Sequence, residues 1–208
     1  NGRKMVKKGG NNMNIGIDID DTLTNSHENR LAYGQKFDYE KLNGKNLINP
    51  YGRDTIEIFN WSEKNDFRLW FEEGLYEAEK NYPPRPFAKQ VINDLWQDGH
   101  KIFIISSRNK VWFHEPYEES KEWLEKNEIK YDQLFVEVED KAKLCKELDI
   151  DVFMDDEPLK CLEVANVGVK TFIFDNIFNK DFRDVRIKHI YTWIQFYHEI
   201  KNKLKNKK

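Results

Sequence analysis

The chain has 208 residues, with 34 basic and 37 acidic side chains and a formal net charge of −3. Its 39% apolar content, including 14 Phe, 9 Tyr and 6 Trp, suffices for a packed core and excludes a disordered chain. Only 10 Gly and 6 Pro exclude collagen-like and low-complexity classes.

The charge is unevenly spread. Residues 1–12 carry Arg3, Lys4, Lys7 and Lys8 with no acid, and 201–208 carry five lysines. The intervening 188 residues hold 25 basic and 37 acidic side chains, an acidic body that argues against a nucleic-acid polymer as partner. No apolar run approaches a membrane span, and no apolar segment follows the basic N-terminus as in a signal peptide. Residues 1–12 read as a tag remnant or a poorly ordered extension, with Met13 as a native start. Two cysteines, Cys145 and Cys161, make no disulfide framework, so a reducing, cytoplasmic setting is expected.

Five short segments rich in Ile, Val and Phe read as buried strands: Asn14–Ile19, Lys101–Ser106, Gln133–Val138, Asp151–Met154 and Lys170–Phe174. Their continuous apolar character suits a parallel sheet covered on both faces. Helical patterns lie between and after them, at Phe87–Gln97, Glu118–Lys126, Asp140–Leu148, Pro158–Val164 and Ile190–Leu204. This alternation predicts an α/β domain with a doubly wound parallel sheet.

One connection is too long for a simple loop. Between the first and second strands lie Asp54–Phe59 and Glu63–Lys80, which look helical, and aromatics at Phe59, Trp61, Phe67, Trp70, Phe71 and Tyr76. A segment of this length needs structure of its own. The expected organisation is a core of residues 13–24 and 83–200, a small helical cap of residues 25–82 inserted after the first strand, and a basic tail at 201–208. The cap aromatics could stack a base, but spacings of three and four are those of a helix face, so a cap core is the simpler account.

The chemistry gathers at strand ends. Ile15-Gly16-Ile17-Asp18-Ile19-Asp20-Asp21-Thr22 runs from an apolar strand straight into three carboxylates. In open parallel sheets ligands bind beyond the carboxyl ends of strands. Carboxylates this close repel unless a cation sits among them, and a hard ion such as Mg2+ suits oxygen donors. Val152-Phe153-Met154-Asp155-Asp156-Glu157-Pro158 repeats the design. Ile104-Ile105-Ser106-Ser107-Arg108 ends a strand in hydroxyls and a guanidinium, groups that bind phosphate oxygens; Ser106 could equally be a plain helix cap. Lys141, in the first turn of a predicted helix, is disfavoured there by the helix dipole unless aimed at an anion, and Lys143 competes with it. The five histidines, at 27, 100, 114, 189 and 198, show no zinc-ligand spacing.

These pieces, in this order, resemble the haloacid dehalogenase-like (HAD) phosphohydrolase superfamily: Asp18-Ile19-Asp20-Asp21-Thr22 as its nucleophile loop, then Ser106, Lys141 and Asp155-Asp156. Phe59-Asn60-Trp61-Ser62-Glu63, Pro84-Arg85-Pro86 and Ile104–Arg108 resemble more narrowly the 5'(3')-deoxyribonucleotidase-like group and its bacterial nucleotidase relatives. The resemblance implies a HAD-like core and a phosphoric monoester hydrolase acting on a small-molecule phosphomonoester. Asp18 would be the nucleophile and Asp20 the acid/base. Ser106 and Lys141, with Ser107 and Arg108, would bind phosphate. The implied Mg2+ site comprises Asp18, Asp20 through its backbone carbonyl, Asp155 and Asp156. Arg108 could alternatively bridge to the cap. The expected substrate is a nucleoside or deoxynucleoside monophosphate; another small phosphate, such as a sugar phosphate, and a non-catalytic phospho-acceptor or scaffold are the alternatives. The presence of Asp20 favours phosphoryl transfer, since dehalogenating members lack that acid.

Overall fold

The computed structural model describes residues 12–205. The expected reading of residues 1–12 therefore falls almost wholly outside it, as does the end of the basic tail. Six strands form one parallel sheet: β1 (Asn14–Ile17), β2 (Lys101–Ile105), β3 (Gln133–Phe135), β4 (Val152–Asp155), β5 (Lys170–Phe174) and β6 (Ile187–Ile190), in the order β3-β2-β1-β4-β5-β6. β1 is central, pairing Ile15 with Ile102 on one side and Val152 on the other.

Period-two alternation explains the apolar runs. Ile15, Ile17, Ile102, Ile104, Val152, Met154, Phe172 and Phe174 pack on one face of the sheet. Covering them are α4 (Ala88–Gln97), α5 (Pro116–Lys126) and α8 (Trp193–Lys205), through residues such as Val91, Leu95, Trp123, Trp193 and Phe196. Phe103, Ile105 and Phe153 point to the other face, under α6 (Lys141–Glu147) with Cys145 and α7 (Pro158–Asn166) with Val164. In β1, β2, β4 and β5 every side chain after the first is therefore buried on one face or the other, and no polar stripe is left there. Gly16 keeps the centre of that second face flat: a Cβ there would lie 2.9 Å from the Phe153 ring.

Two elements differ from expectation. Ile187–Ile190, whose last residue was expected to open the final helix, is the edge strand β6, and the helix starts three residues later. Helix α1 (Ser26–Lys41) was not expected; its sequence is polar and shows no apolar stripe, and what it buries is the small set Ser26, His27, Gly34, Phe37 and Asp38.

After α1, the insertion continues with α2 (Thr55–Ile58), two π-helical turns (Glu63–Phe67 and Trp70–Leu75) and α3 (Tyr76–Glu79). The expected helix over 63–80 is thus largely of the wider π form, which is commonly found at functional sites. Phe37, Ile58, Phe59, Trp61, Trp70, Leu75, Ala78 and Tyr82 form a separate apolar cluster. Phe59 and Trp61 stack at 4.5 Å, and Gly34 lets them approach α1, since a Cβ there would lie 2.5 Å from Phe59. The chain leaves and re-enters the core at one place: Thr24 bridges Pro84, and Arg85 N donates to Leu23 O at 2.7 Å.

Candidate active site

The chain turns sharply beyond β1. Asp18 N still donates to Met154 O at 3.0 Å, extending the β1–β4 ladder, and the N–H groups of Leu23 and Thr24 then both reach back to Ile19 O. Asp21 takes a left-handed conformation (φ 53°), tolerable for Asp, and its carboxylate accepts from His27 N at the start of α1. The turn presents Asp18 and Asp20 on one side. The loop after β2 is held beside it by Val138 N to Ser106 O (3.1 Å) and Glu137 N to Arg108 O (2.9 Å).

Asp18, Asp155 and Asp156 bring one carboxylate oxygen each within 4.8 Å of one another. Lys141 joins two of them: its Nζ lies 2.6 Å from Asp18 Oδ1 and 2.7 Å from Asp155 Oδ2, fully buried. Lys143 points away, 72% exposed, and its nearest acid, Glu147, is 3.9 Å distant. Asn176 donates to Asp156 Oδ2 at 2.9 Å, and Glu157 N donates to Asp155 Oδ1 at 2.9 Å.

Burial pushes the Asp18 carboxyl up to about 8, opposed by Lys141 and reinforced by Asp155 and Asp20. Asp156 is pushed well above the carboxylate range, first by burial and then by Asp155, Asp21 and Asp18. Lys141 is held above its ordinary value despite its burial, by Asp155 and Asp18. One ammonium thus serves a cluster of three acids, of which Asp18 and Asp155 are buried and Asp156 partly so. That imbalance, with an all-oxygen donor set, fits a hard divalent cation. Asp20 has a different neighbourhood. Burial alone would raise it, but the charge and hydrogen bonds of Arg108 hold it below the usual carboxylate range.

Arg108 grips Asp20 with both arms of its fork, Nε to Oδ2 and Nη2 to Oδ1, each at 2.8 Å. Ser26 adds a hydroxyl to Oδ1 at 2.9 Å. Nη2 of Arg108 also faces Glu79 Oε2 of α3 at 3.5 Å, and the guanidinium lies 4.6 Å from the Phe113 ring centre. Arg108 therefore bridges to the inserted segment while also lining the cavity. Ser106 is buried, its Oγ accepting from Arg108 N at 3.2 Å, whereas Ser107 turns its hydroxyl to Val138 O at 2.9 Å.

All eight candidate residues line one cavity of about 360 Å³ between the sheet end and the insertion. Sequence reasoning missed several of its other walls. Arg30, Arg53, Thr55 and Glu79 come from the insertion, Trp112 from the loop after β2, and Phe178 from the loop after β5. Phe67 and Trp70 serve twice: both line the cavity, while Trp70 also lies within the insertion's core and Phe67 packs against it. The doubled acids at two strand ends were visible as a motif; isolated residues such as Glu79 or Phe178 carry no local pattern.

This topology, with the insertion leaving the tip of the central strand, is the fold of HAD-like hydrolases. The chain superposes on a HAD-superfamily hydrolase, subfamily IA, variant 1, from Geobacter sulfurreducens with a TM-score of 0.63 at 13% identity, over 95% of this chain and 99% of that one. A predicted phosphatase from Clostridium acetobutylicum gives 0.57 at 16% identity, over 92% and 99%.

In sequence the chain is similar to the "Putative nucleotidase" of Oceanobacillus iheyensis, at 28% identity over 92% of this chain and all of that one. It is 26% identical to a nucleotidase of Clostridium acetobutylicum over 89% of this chain and 92% of that one. No protein-family model matches the chain.

Proposed function

We propose that the protein is a Mg2+-dependent phosphomonoesterase that hydrolyses nucleoside or deoxynucleoside monophosphates through an aspartyl-phosphate. The observation that carries this reading is the convergence of Asp18, Asp20, Ser106 and Lys141 on one cavity, with the Asp18, Asp155 and Asp156 carboxylates clustered at its floor.

In the first half-reaction Asp18 attacks phosphorus as the ester P–O bond breaks, and Asp20 gives its proton to the departing oxygen, releasing the alcohol. In the second, Asp20 takes a proton from water as that water attacks phosphorus. The P–O bond to Asp18 breaks, freeing phosphate and restoring the carboxylate. Ser106 and Lys141 hold the non-bridging oxygens, whose charge is greatest in the transition state. Asp18, Asp155, Asp156 and the Asp20 carbonyl would hold Mg2+, which when bound offsets the repulsion between the nucleophile and a phosphate dianion.

The names of the two sequence relatives support the nucleotide reading. So do the aromatic walls of the cavity, Phe67, Trp112, Phe113 and Phe178, which offer faces for a base. The test is phosphate release with Mg2+ across nucleoside 5'- and 3'-monophosphates, deoxynucleotides and sugar phosphates. Nucleotides should be preferred, and Asp18→Asn should lose on the order of 10³-fold or more in turnover while keeping its circular dichroism. A preference for sugar phosphates would keep the mechanism and replace the substrate, and full activity in Asp18→Asn would overturn the covalent route.

A further inference from the structure

The grip of Arg108 on Asp20 conflicts with the work assigned to that acid. Each Asp20 oxygen spends a lone pair on the guanidinium and Oδ1 spends its second on Ser26, so little of the carboxylate's hydrogen-bonding capacity is left for a leaving group. Arg108 has one other acid within reach. Glu79 Oε2, 3.5 Å from Nη2, is itself only 5% exposed and comes from α3, outside the sheet. Burial pushes its carboxyl up to about 7, and the cations that oppose this are Arg108 and Arg30. Arg30 also donates to the carbonyl of Arg53, so it is fixed to the insertion. The buried Arg108 and the half-buried Arg30 thus face the buried Glu79 and the half-buried Asp20, and Arg108 is the member that meets both acids.

We propose that Glu79 is a positioning residue: it competes with Asp20 for the fork of Arg108 and, by drawing that fork toward α3, leaves an Asp20 oxygen free to serve the leaving group. The inference rests on the phosphomonoesterase reading above and adds to it a residue outside both acid motifs. Glu79 touches no reacting atom. It acts through Arg108, and its effect should grow with the need of the leaving group for a proton.

That need separates two substrates. A nucleoside 5'-monophosphate expels an alkoxide that must be protonated, whereas p-nitrophenyl phosphate expels a phenolate stable without a proton. With Glu79→Gln, kcat for the nucleotide should fall by about 10- to 100-fold with KM nearly constant. Turnover of p-nitrophenyl phosphate should stay within about threefold. Glu79→Asp, which retains the charge at a greater distance, should recover part of the nucleotide rate, and it stands in if Glu79→Gln does not fold. Equal losses on both esters would show a merely structural residue and overturn the inference. So would undiminished nucleotide turnover. Wild-type protein inactive on both esters would instead overturn the phosphomonoesterase reading, and this inference with it.

Discussion

Lys141 and Lys143 stand two residues apart on one short helix and meet opposite environments. The first is sealed between Asp18 and Asp155; the second lies in solvent near Glu147. Exposed pairs of that kind contribute little, so Lys143→Ala should leave turnover and melting temperature nearly unchanged. Lys141→Ala removes the ammonium that pairs with the buried Asp18 and Asp155 and should lower turnover by about 10²–10³-fold. Steady-state kinetics on the two variants, with thermal melts, checks both. A lysine misplaced in a first turn drew attention to position 141 but left Lys143 as its competitor, and only the resemblance to the superfamily's motifs favoured the first. Glu79 offered no such sign. Within Tyr76-Glu77-Ala78-Glu79-Lys80 it reads as one more acid on a solvated helix, and the cations that face it are Arg108, 29 residues away, and Arg30. Arg108 itself was legible only as an alternative, phosphate or insertion, because the choice depends on which acids the fold brings to it.

The insertion shows where periodicity fails as a guide. Its elements are short, and α1 is polar along most of its length, so no apolar stripe marked it. What organises α1 is a buried carboxylate. Asp38 accepts Trp61 Nε1 at 3.0 Å and Asn46 Nδ2 at 2.6 Å, and Asn46 N at 3.1 Å, tying α1 to the loop that follows and to the Phe59–Trp61 stack. Asp38→Ala leaves an indole N–H and an amide without their acceptor and should cost about 2–3 kcal/mol, measured by urea unfolding. It should also raise KM, because the same aromatic group includes Trp70 on the cavity wall. The strands were easier. Residues sent alternately to two covered faces leave an unbroken apolar run, which is why β1, β2, β4 and β5 could be read directly. Ile187-Lys188-His189-Ile190 lies at the sheet edge, with Lys188 exposed, and carries no such run.

At the scale of the whole molecule, the acids at the ends of β1 and β4 tie strand pairing to cation binding. The two strands are neighbours, so the sheet presses Asp18, Asp155 and Asp156 together whether or not charge is neutralised. A divalent cation that binds this arrangement and not the unfolded chain stabilises the fold by about 2.7 kcal/mol at a hundred times its dissociation constant. Melting temperature should therefore rise with Mg2+ and fall with EDTA in the wild type, and Asp155→Asn should flatten that response; calorimetry checks it. The position of β1 also bears on how the protein is made. The strand at the middle of the sheet leaves the ribosome first, yet its neighbours follow about 87 and 137 residues later. At about 5–20 residues per second, β1 waits several seconds for its first partner and longer for its second. The aromatic cluster of the insertion, from Phe37 to Tyr82, is complete before either arrives. During synthesis, the part that roofs the cavity can thus be assembled before the floor it will cover exists.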